Sequence, residues 1–419
     1  MVGSKRKWQR EPREELTTQL FLFSTLFLLY SIVIGAVITV HPLYLELFLK
    51  KPELVGLVAA LSSLSGMLFS LPAGILTDKF GRKRLLIASF LLLAAVLLAF
   101  FVNTSLYVLI GLQLVFGMSM APAWVISEAF IKDISPTGRR GEFRSIFGTF
   151  ANAGLFIGPV IGGFLAYRFV LRTPYLFAAL LLLVSLPFVI KLTGNLHEDT
   201  SATNRDGTRE NNLLTVLKEF KQQRELLVLE LCTVALFFWY SARWVFGPLF
   251  LNHLGYSPFI IGLWIGVSGV PYLFFQIPLG KLGDQIGKNR PICFGFVIST
   301  IFIIPLGFLQ SLPSLLVAIF IISLGTTLVE PLIEARVTDI VPRDRYGAYA
   351  GIFELAKTTG VMLGPVSSSL FVFLFGISYS FIPAVIFFIV TLAIFLYTRH
   401  SLCIPSVHNN ATEDSVNHA

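Results

Sequence analysis

Charge is scarce in this chain. Only 13% of its 419 residues are Asp, Glu, Lys or Arg, about half the ~25% of a soluble domain. With 55% hydrophobic residues and a mean hydropathy of +0.77, that excludes the two or three soluble domains the length alone would suggest. Cysteine is scarce too. Cys232, Cys293 and Cys403 are scattered, match neither a disulfide framework nor a zinc spacing, and read as small apolar fillers. A phosphate loop is missing: where Gly287-Lys288 would close one, position 282 is Leu and position 289 is Asn. No metal, cofactor or enzymatic centre is expected. A cleavable signal peptide is lacking as well, because acids Glu11, Glu14 and Glu15 interrupt the basic start and no small-residue cleavage site follows the first apolar run.

Long apolar runs are what the chain has in quantity, with 40 Phe in the whole. Runs of about 20 residues match a hydrocarbon layer of about 30 Å. Twelve are read, at 18–40, 53–77, 84–102, 105–128, 145–169, 173–192, 226–250, 258–281, 291–309, 313–337, 348–374 and 377–398. The alternating polarity of barrel strands is absent, so the expectation is an all-α membrane protein. It divides into an N-terminal segment 1–17, a six-helix bundle 18–192, a linker 193–225, a second six-helix bundle 226–398 and a polar tail 399–419. In the linker, Leu213, Leu214, Leu217 and Phe220 have helical spacing opposite Lys218 and Lys221, the pattern of a helix lying on the membrane surface.

The formal charge of +8 follows topology. With the N-terminus inside, the inner loops hold Lys79, Arg82, Lys83, Arg84, Arg139, Arg140, Lys288, Arg290, Arg343 and Arg345. The outer loops hold only Lys50, Lys51, Arg168 and Arg172. The positive-inside rule then puts both termini in the cytoplasm, in a multi-pass protein of the plasma membrane. The bilayer is the partner that this charge serves, and no nucleic acid is expected.

One register runs through both halves. Gly74, Asp78, Gly81 and Arg84 recur 206 residues later as Gly280, Asp284, Gly287 and Arg290. The same offset carries Pro42 to Pro248, Asp133 to Asp339, Pro136 to Pro342, and Gly154, Gly158 and Pro159 to Gly360, Gly364 and Pro365. A gap-free match over more than a hundred residues is an internal duplication. Two pseudo-symmetric apolar bundles are the layout of a secondary transporter.

From about residue 18 to 398 the chain resembles the major facilitator superfamily. The family's loop motif is matched by Gly74, Asp78, Lys79, Gly81, Arg82 and Lys83, while the second copy has Gln285 and Asn289 where the family prefers cations. Gly74 and Gly280 let a helix approach a neighbour closely, and Gly81 and Gly287 permit a tight turn. Asp78 and Asp284 would face the positive helix N-termini near Gly347 and Gly141, and Arg82 suits a carboxylate, Asp133 or Glu128. Together they read as a latch on the inner gate. In the fifth span Gly154, Gly158, Pro159, Gly162 and Gly163 resemble the family's antiporter motif, a smooth face with a bend. Pro42 to Leu45 likewise resembles the drug:proton antiporter branch. One departure matters: that branch has Arg four residues before Gly in the fourth span, whereas here Gln113 precedes Gly117. A neutral amide cannot tune a carboxylate as Arg does. The resemblance implies the twelve-helix major facilitator fold, with spans one, four, seven and ten lining a cavity.

Ionisable groups inside spans are costly and mark function. Glu330 and Glu334 share one face of the tenth span. Glu330 lies roughly 13 Å deeper than Asp339 at 1.5 Å rise per residue, and Pro331 frees a carbonyl beside it. Glu330 leads as the proton or substrate carboxylate; the rival role is structural partner of Arg336 or Lys357. Arg243, among Trp239, Tyr240, Trp244 and Phe246, could bind an anion, counter Glu330, or snorkel to the interface. Glu354 and Lys357, three apart, are expected to pair. The first half offers Gln113, Trp124, Tyr30 and Met118. An aromatic site with one or two acids suits a lipophilic cation. The expectation is proton-coupled efflux of a small amphiphilic solute or drug by a monomer working through alternating access. The alternatives are a nutrient or metabolite importer on the same fold and a non-transporting sensor, for which the linker of 193–225 is too short to hold an output domain.

Overall fold

A computed structural model describes residues 13–135, 139–192, 223–341 and 346–402. The first half holds α1 (Arg13–Leu49), α2 (Pro52–Phe80), α3 (Arg82–Val102), α4 (Leu106–Ile134), α5 (Arg140–Arg168) and α6 (Thr173–Leu192). The second holds α7 (Arg224–His253), α8 (Pro258–Phe274), α9 (Gln276–Ile286), α10 (Asn289–Leu306), α11 (Leu312–Ile340), α12 (Tyr346–Phe375) and α13 (Ile382–Leu402). Among the described residues, eleven helices are long and apolar enough to cross a membrane, and α8 with α9, taken as one bent span, makes twelve. The amphipathic stretch at 213–220 lies outside the described residues.

Two spans differ from their expected form. α1 runs through Pro42 to Leu49, past the end expected at residue 40. It stays packed there, with His41, Leu43, Tyr44 and Leu45 buried, so protein contacts carry the helix beyond its apolar run. The eighth span breaks at Phe275 and turns by 48°. Pro278 has a repeat mate in Pro72, which sits inside unbroken α2. Pro271 has none, since position 65 is Ser. Each proline removes one helical hydrogen bond and crowds the preceding turn, and here two act only seven positions apart.

Packing repeats with the sequence. Gly154 lies against Leu28, Ser31 and Ile32 of α1, and Gly158 against Ile32, Gly35 and Ala36. In the second half Gly360 lies against Val234, Phe237 and Phe238 of α7, and Gly364 against Phe238, Ser241 and Ala242. Every neighbour is displaced by the same 206 positions. A Cβ at any of the four glycines would fall within 3 Å of a neighbouring backbone atom, so these crossings exclude larger residues. The turns repeat as well: Gly81 and Gly287 have φ of 82° and 84°, a left-handed backbone that suits glycine.

The halves touch at one end and part at the other. At the face opposite the basic loops, Gly163 of α5 faces Pro258 and Gly262 of α8, and Gly56 of α2 faces Pro365 and Ser369 of α12. Further along α5, Asn152 Nδ2 donates to Gln276 Oε1 at 3.2 Å. Beyond that bond, toward the basic loops, Gly148, Gly280, Gly74 and Gly351 have no described side-chain or neighbouring-helix atom within 4 Å of a Cβ position. A vestibule therefore opens between the halves toward the basic face.

Candidate transport site

The second half carries the polar machinery. Tyr240 OH on α7 donates to Glu330 Oε2 on α11 at 2.9 Å. The hydroxyls of Tyr240 and Tyr272 are bonded to each other. Tyr272 OH in turn donates to Thr326 Oγ1 at 2.8 Å, and Thr326 Oγ1 donates to the Ser323 carbonyl at 3.1 Å. Glu330 and Thr326 share a face of α11 because they are four apart. Tyr272 reaches them from the last turn of α8, just before the bend. Only the tertiary fold assembles this chain.

Ion pairs beside it differ from the expected ones. Lys357 Nζ donates to Glu334 Oε1 at 2.9 Å, whereas the spacing pointed to Glu354, which is exposed. Spacing along α12 ignores the facing α11, whose Glu334 approaches more closely. Arg336 donates to Glu225 Oε1 at 2.7 Å, so its fork is taken up away from Glu330. A cleft against α7, α11 and α12 is lined by Thr233, Phe237, Glu330, Glu334, Phe353 and Lys357.

Arg243 does not snorkel. It is 6% exposed, its Nε has no hydrogen-bond partner, and its guanidinium lies 5.7 Å and 5.8 Å from the ring centroids of Tyr240 and Trp244. The charge is held among aromatic rings, next to the tyrosine that serves Glu330.

Two groups escaped the sequence reading. Glu230 on α7 is buried with neither carboxylate oxygen hydrogen-bonded; an acid inside an apolar run was the available signal. His41 on α1 is the other. Its Nε2 meets Gln113 Nε2 at 2.8 Å and its Nδ1 meets Tyr175 OH at 2.8 Å. Gln113 is fully buried, so the amide standing in for the expected Arg ties α4 to α1 and α6. Trp124 on α4 is 36% exposed and meets Phe27 and Tyr30 edge-on.

At the basic loops, Lys288 Nζ bonds Asp339 Oδ2 at 2.6 Å. Its repeat mate is the expected Arg82–Asp133 pair. The side chains of Asp78, Asp133 and Asp284 lie outside the described residues, as do those of Gly141 and the neighbourhood of Gly347. Glu128 is bonded by Arg144, Lys83 Nζ donates to the Ile190 carbonyl at 3.2 Å, Lys79 lies near the Phe80 ring and Arg290 is exposed. In the glycine motif, Gly154, Gly158 and Gly162 pack on α1 while Gly163 packs on α8 of the other half. Pro159 adds a cross-helix bond, its carbonyl accepting from Thr39 Oγ1 at 3.3 Å.

Two halves of repeated helix packing, with acids, aromatics and a one-sided vestibule between them, agree with a family profile. The profile described as Major Facilitator Superfamily matches residues 21–257 and 231–408. The chain belongs to that superfamily. It is thus a membrane transporter and not an enzyme. Among similar proteins, Multidrug resistance protein 2 of Bacillus subtilis (strain 168) is 27% identical over 380 residues, covering 88% of this chain and 92% of that one. Quinolone resistance protein NorA of Staphylococcus aureus is 27% identical over 356 residues, covering 84% and 89%. Among solved structures, the nucleoside transporter NupG superposes with a TM-score of 0.74 at 15% identity, covering 92% of this chain and 99% of that one. A bacterial homolog to the human lysosomal transporter Spinster, inward-facing and occupied, gives 0.72 at 13% identity, covering 95% and 98%. At such identities these structures speak for the fold alone.

Proposed function

We propose that this transporter is a proton-coupled exporter of small amphiphilic solutes, a monomer working by alternating access in the plasma membrane. Its bundles, 18–192 and 226–398, rock about the shared cavity and are joined by the linker 193–225. The positive-inside rule places the basic loops, and with them the segment 1–17 and the tail 399–419, in the cytoplasm. The vestibule then faces the cytoplasm, ready to take up solute. The multidrug and quinolone resistance relatives favour efflux. The aromatic lining with Glu330 favours an amphiphilic, positively charged cargo.

Proton counting around Glu330 carries the reading. The links Glu330–Tyr240, Tyr240–Tyr272 and Tyr272–Thr326 need three hydrogens. The two tyrosines supply one each, and the Thr326 hydrogen is taken by the Ser323 carbonyl. With Tyr240 donating to Glu330 and Tyr272 to Thr326, the Tyr240–Tyr272 link lacks a hydrogen; a proton added to Glu330 supplies it by reversing the first bond, so that Glu330 donates to Tyr240 and Tyr240 to Tyr272. Loss of that proton leaves a carboxylate that one tyrosine alone can serve, in the cleft it shares with the Lys357–Glu334 pair. Gating falls to Asp78 and Asp284 with Lys79, Arg82, Lys83 and Arg290, acting as a latch that closes the cytoplasmic side.

Solute flux in proteoliposomes, with and without an imposed pH gradient, tests this. Glu330→Gln is expected to abolish gradient-driven accumulation while sparing downhill exchange, which needs no net proton transfer. Glu334→Gln, whose acid is paired with Lys357, should be milder. Undiminished proton-driven flux in Glu330→Gln would remove that carboxylate from the mechanism.

A further inference from the structure

Among the described residues, Arg243 is buried without a counter-ion. It is 6% exposed, its Nε is sealed and unbonded, and no hydrogen bond or ion pair reaches the rest of its guanidinium. Its neighbours are ring faces, Tyr240 at 5.7 Å and Trp244 at 5.8 Å. Such faces offset only part of what a buried guanidinium loses in hydration. The acids of this half are engaged or remote. Glu330 accepts from Tyr240, Glu334 pairs with Lys357 and Glu225 with Arg336. Glu354 is exposed on α12, and Glu230 lies 13 positions back along α7, about 20 Å away at 1.5 Å rise per residue.

Packing does not call for this cation. The repeat mates of Tyr240, Arg243 and Trp244 in the first half are Ile34, Val37 and Ile38, and Val37 is 1% exposed. The duplicated fold thus closes around an aliphatic side chain at this position, and a guanidinium there needs another reason. Geometry relates it to Glu330. The Tyr240 hydroxyl donates to Glu330 at 2.9 Å, while the Tyr240 ring lies 5.7 Å from the guanidinium carbon. One phenol therefore separates a bare cation from an acid. Glu330 is 10 positions from the basic-loop end of α11 and Arg243 is 19 positions from that of α7, so Arg243 stands the deeper of the two for a solute entering by the vestibule.

We propose that Arg243 is the anion-binding residue of the transport site and that the cargo is a zwitterion, its carboxylate held by Arg243 and its cationic end facing Glu330. A guanidinium takes a carboxylate through two parallel hydrogen bonds, and the rings of Tyr240 and Trp244 flank the apolar middle of such a solute. The inference rests on the exporter reading above and narrows its cargo from a cationic amphiphile to one that also carries an anion. Selectivity follows from the burial. A solute without the anion leaves Arg243 bare, and a site with a buried polar group left unpaired rejects the analogue that lacks its partner.

Two dyes test this on the purified full chain in lipid nanodiscs. One is a rhodamine with a free carboxylate, a zwitterion; the other is its methyl ester, a cation of nearly the same shape. Fluorescence anisotropy reads their binding with no gradient imposed. The unaltered protein should bind the acid more tightly than the ester by about tenfold or more. Arg243→Gln should erase that preference by weakening the acid and sparing the ester, and Arg243→Lys, which keeps the charge and loses the fork, should retain part of it. Glu330→Gln should weaken both dyes and leave the preference in place. The proposal is overturned if the unaltered protein does not prefer the acid, whether it binds both dyes or neither. It is overturned equally if Arg243→Gln weakens both dyes alike, or if Glu330→Gln spares both. A guanidinium serving only packing or a free inorganic anion would give no preference, and that measurement needs no variant to fold. Proton-driven flux that survives Glu330→Gln would sink the coupling and leave the dyes to decide the cargo.

Discussion

Asn252 Nδ2 donates to Glu46 Oε2 at 3.3 Å, and the two residues are 206 positions apart. They are repeat mates, meeting each other because residues near a pseudo-twofold axis face their own counterparts. The bond joins the halves at the face away from the basic loops, so it must break when that face opens. A hydrogen bond to a charged group contributes about 1.5–3 kcal/mol, and partial exposure reduces this. Glu46→Ala or Asn252→Ala should therefore raise the open population several-fold. The readout is the alkylation rate of a cysteine replacing Ser369, which is 3% exposed and packs against Gly56 across the seam. An unchanged rate would deny the pair any part in the gate.

Asp78→Asn should impair transport and leave membrane abundance nearly intact. Asp78 stands near the end of α2, at the basic loop. A charge at a helix terminus is worth about 0.3–2 kcal/mol, so the expected loss of rate is roughly two- to thirty-fold. Flux per unit of protein, normalised by a membrane blot, decides; normal flux at equal abundance would refute the latch.

Glycine substitutions should divide into two classes. At Gly158 and Gly364 a Cβ would press on the backbone of α1 or α7, and overpacking costs about 1–3 kcal/mol. Gly158→Ala and Gly364→Ala should lower the melting temperature in detergent by similar amounts, their surroundings being repeats of one another. Gly74→Ala and Gly280→Ala meet open space in this state. They should melt normally, yet transport slowly if these faces close on a neighbour during the cycle. A drop in melting temperature for the second class would show that the open vestibule is not the resting form.

The tyrosine chain predicts a graded pair. Tyr240→Phe removes the donor to Glu330 itself, whereas Tyr272→Phe cuts the chain one link further on. Hydrogen bonds to charged groups are worth about 1.5–3 kcal/mol and neutral ones about 0.5–1.5 kcal/mol. Initial rates of proton-driven flux should fall by roughly one to two powers of ten in the first variant and by tenfold or less in the second. Equal effects would mean that the chain acts as a packing unit and not as a proton path.

Much of the architecture was legible because its signals are local. Twelve apolar runs report membrane crossing through length alone, and a constant offset reports duplication through alignment of the chain with itself. Gly154 and Gly158 could be marked for close packing before their partners were known, since absence of a Cβ matters for any crossing. Glu330 stood out because an acid beside Pro331 deep in a span is costly wherever it points.

What sequence could not supply was the choice of partner. Lys357 has an acid three residues away on its own helix, yet bonds Glu334 on another, because the distance between facing helices can be shorter than that along one. Glu230 lies near the start of a run and His41 just beyond the end of one, so neither drew notice until packing showed both to be buried. The 48° bend at Phe275 needed two prolines acting against neighbours, where a lone Pro72 left α2 whole. The amino-acid sequence by itself determined the number of spans, the duplicated register and which residues carry charge into the membrane, since each depends on order along the chain. Which acid pairs with which base, where the tyrosines converge and at which face the halves part were decided by tertiary structure, because those are distances between helices and no order along one chain encodes them.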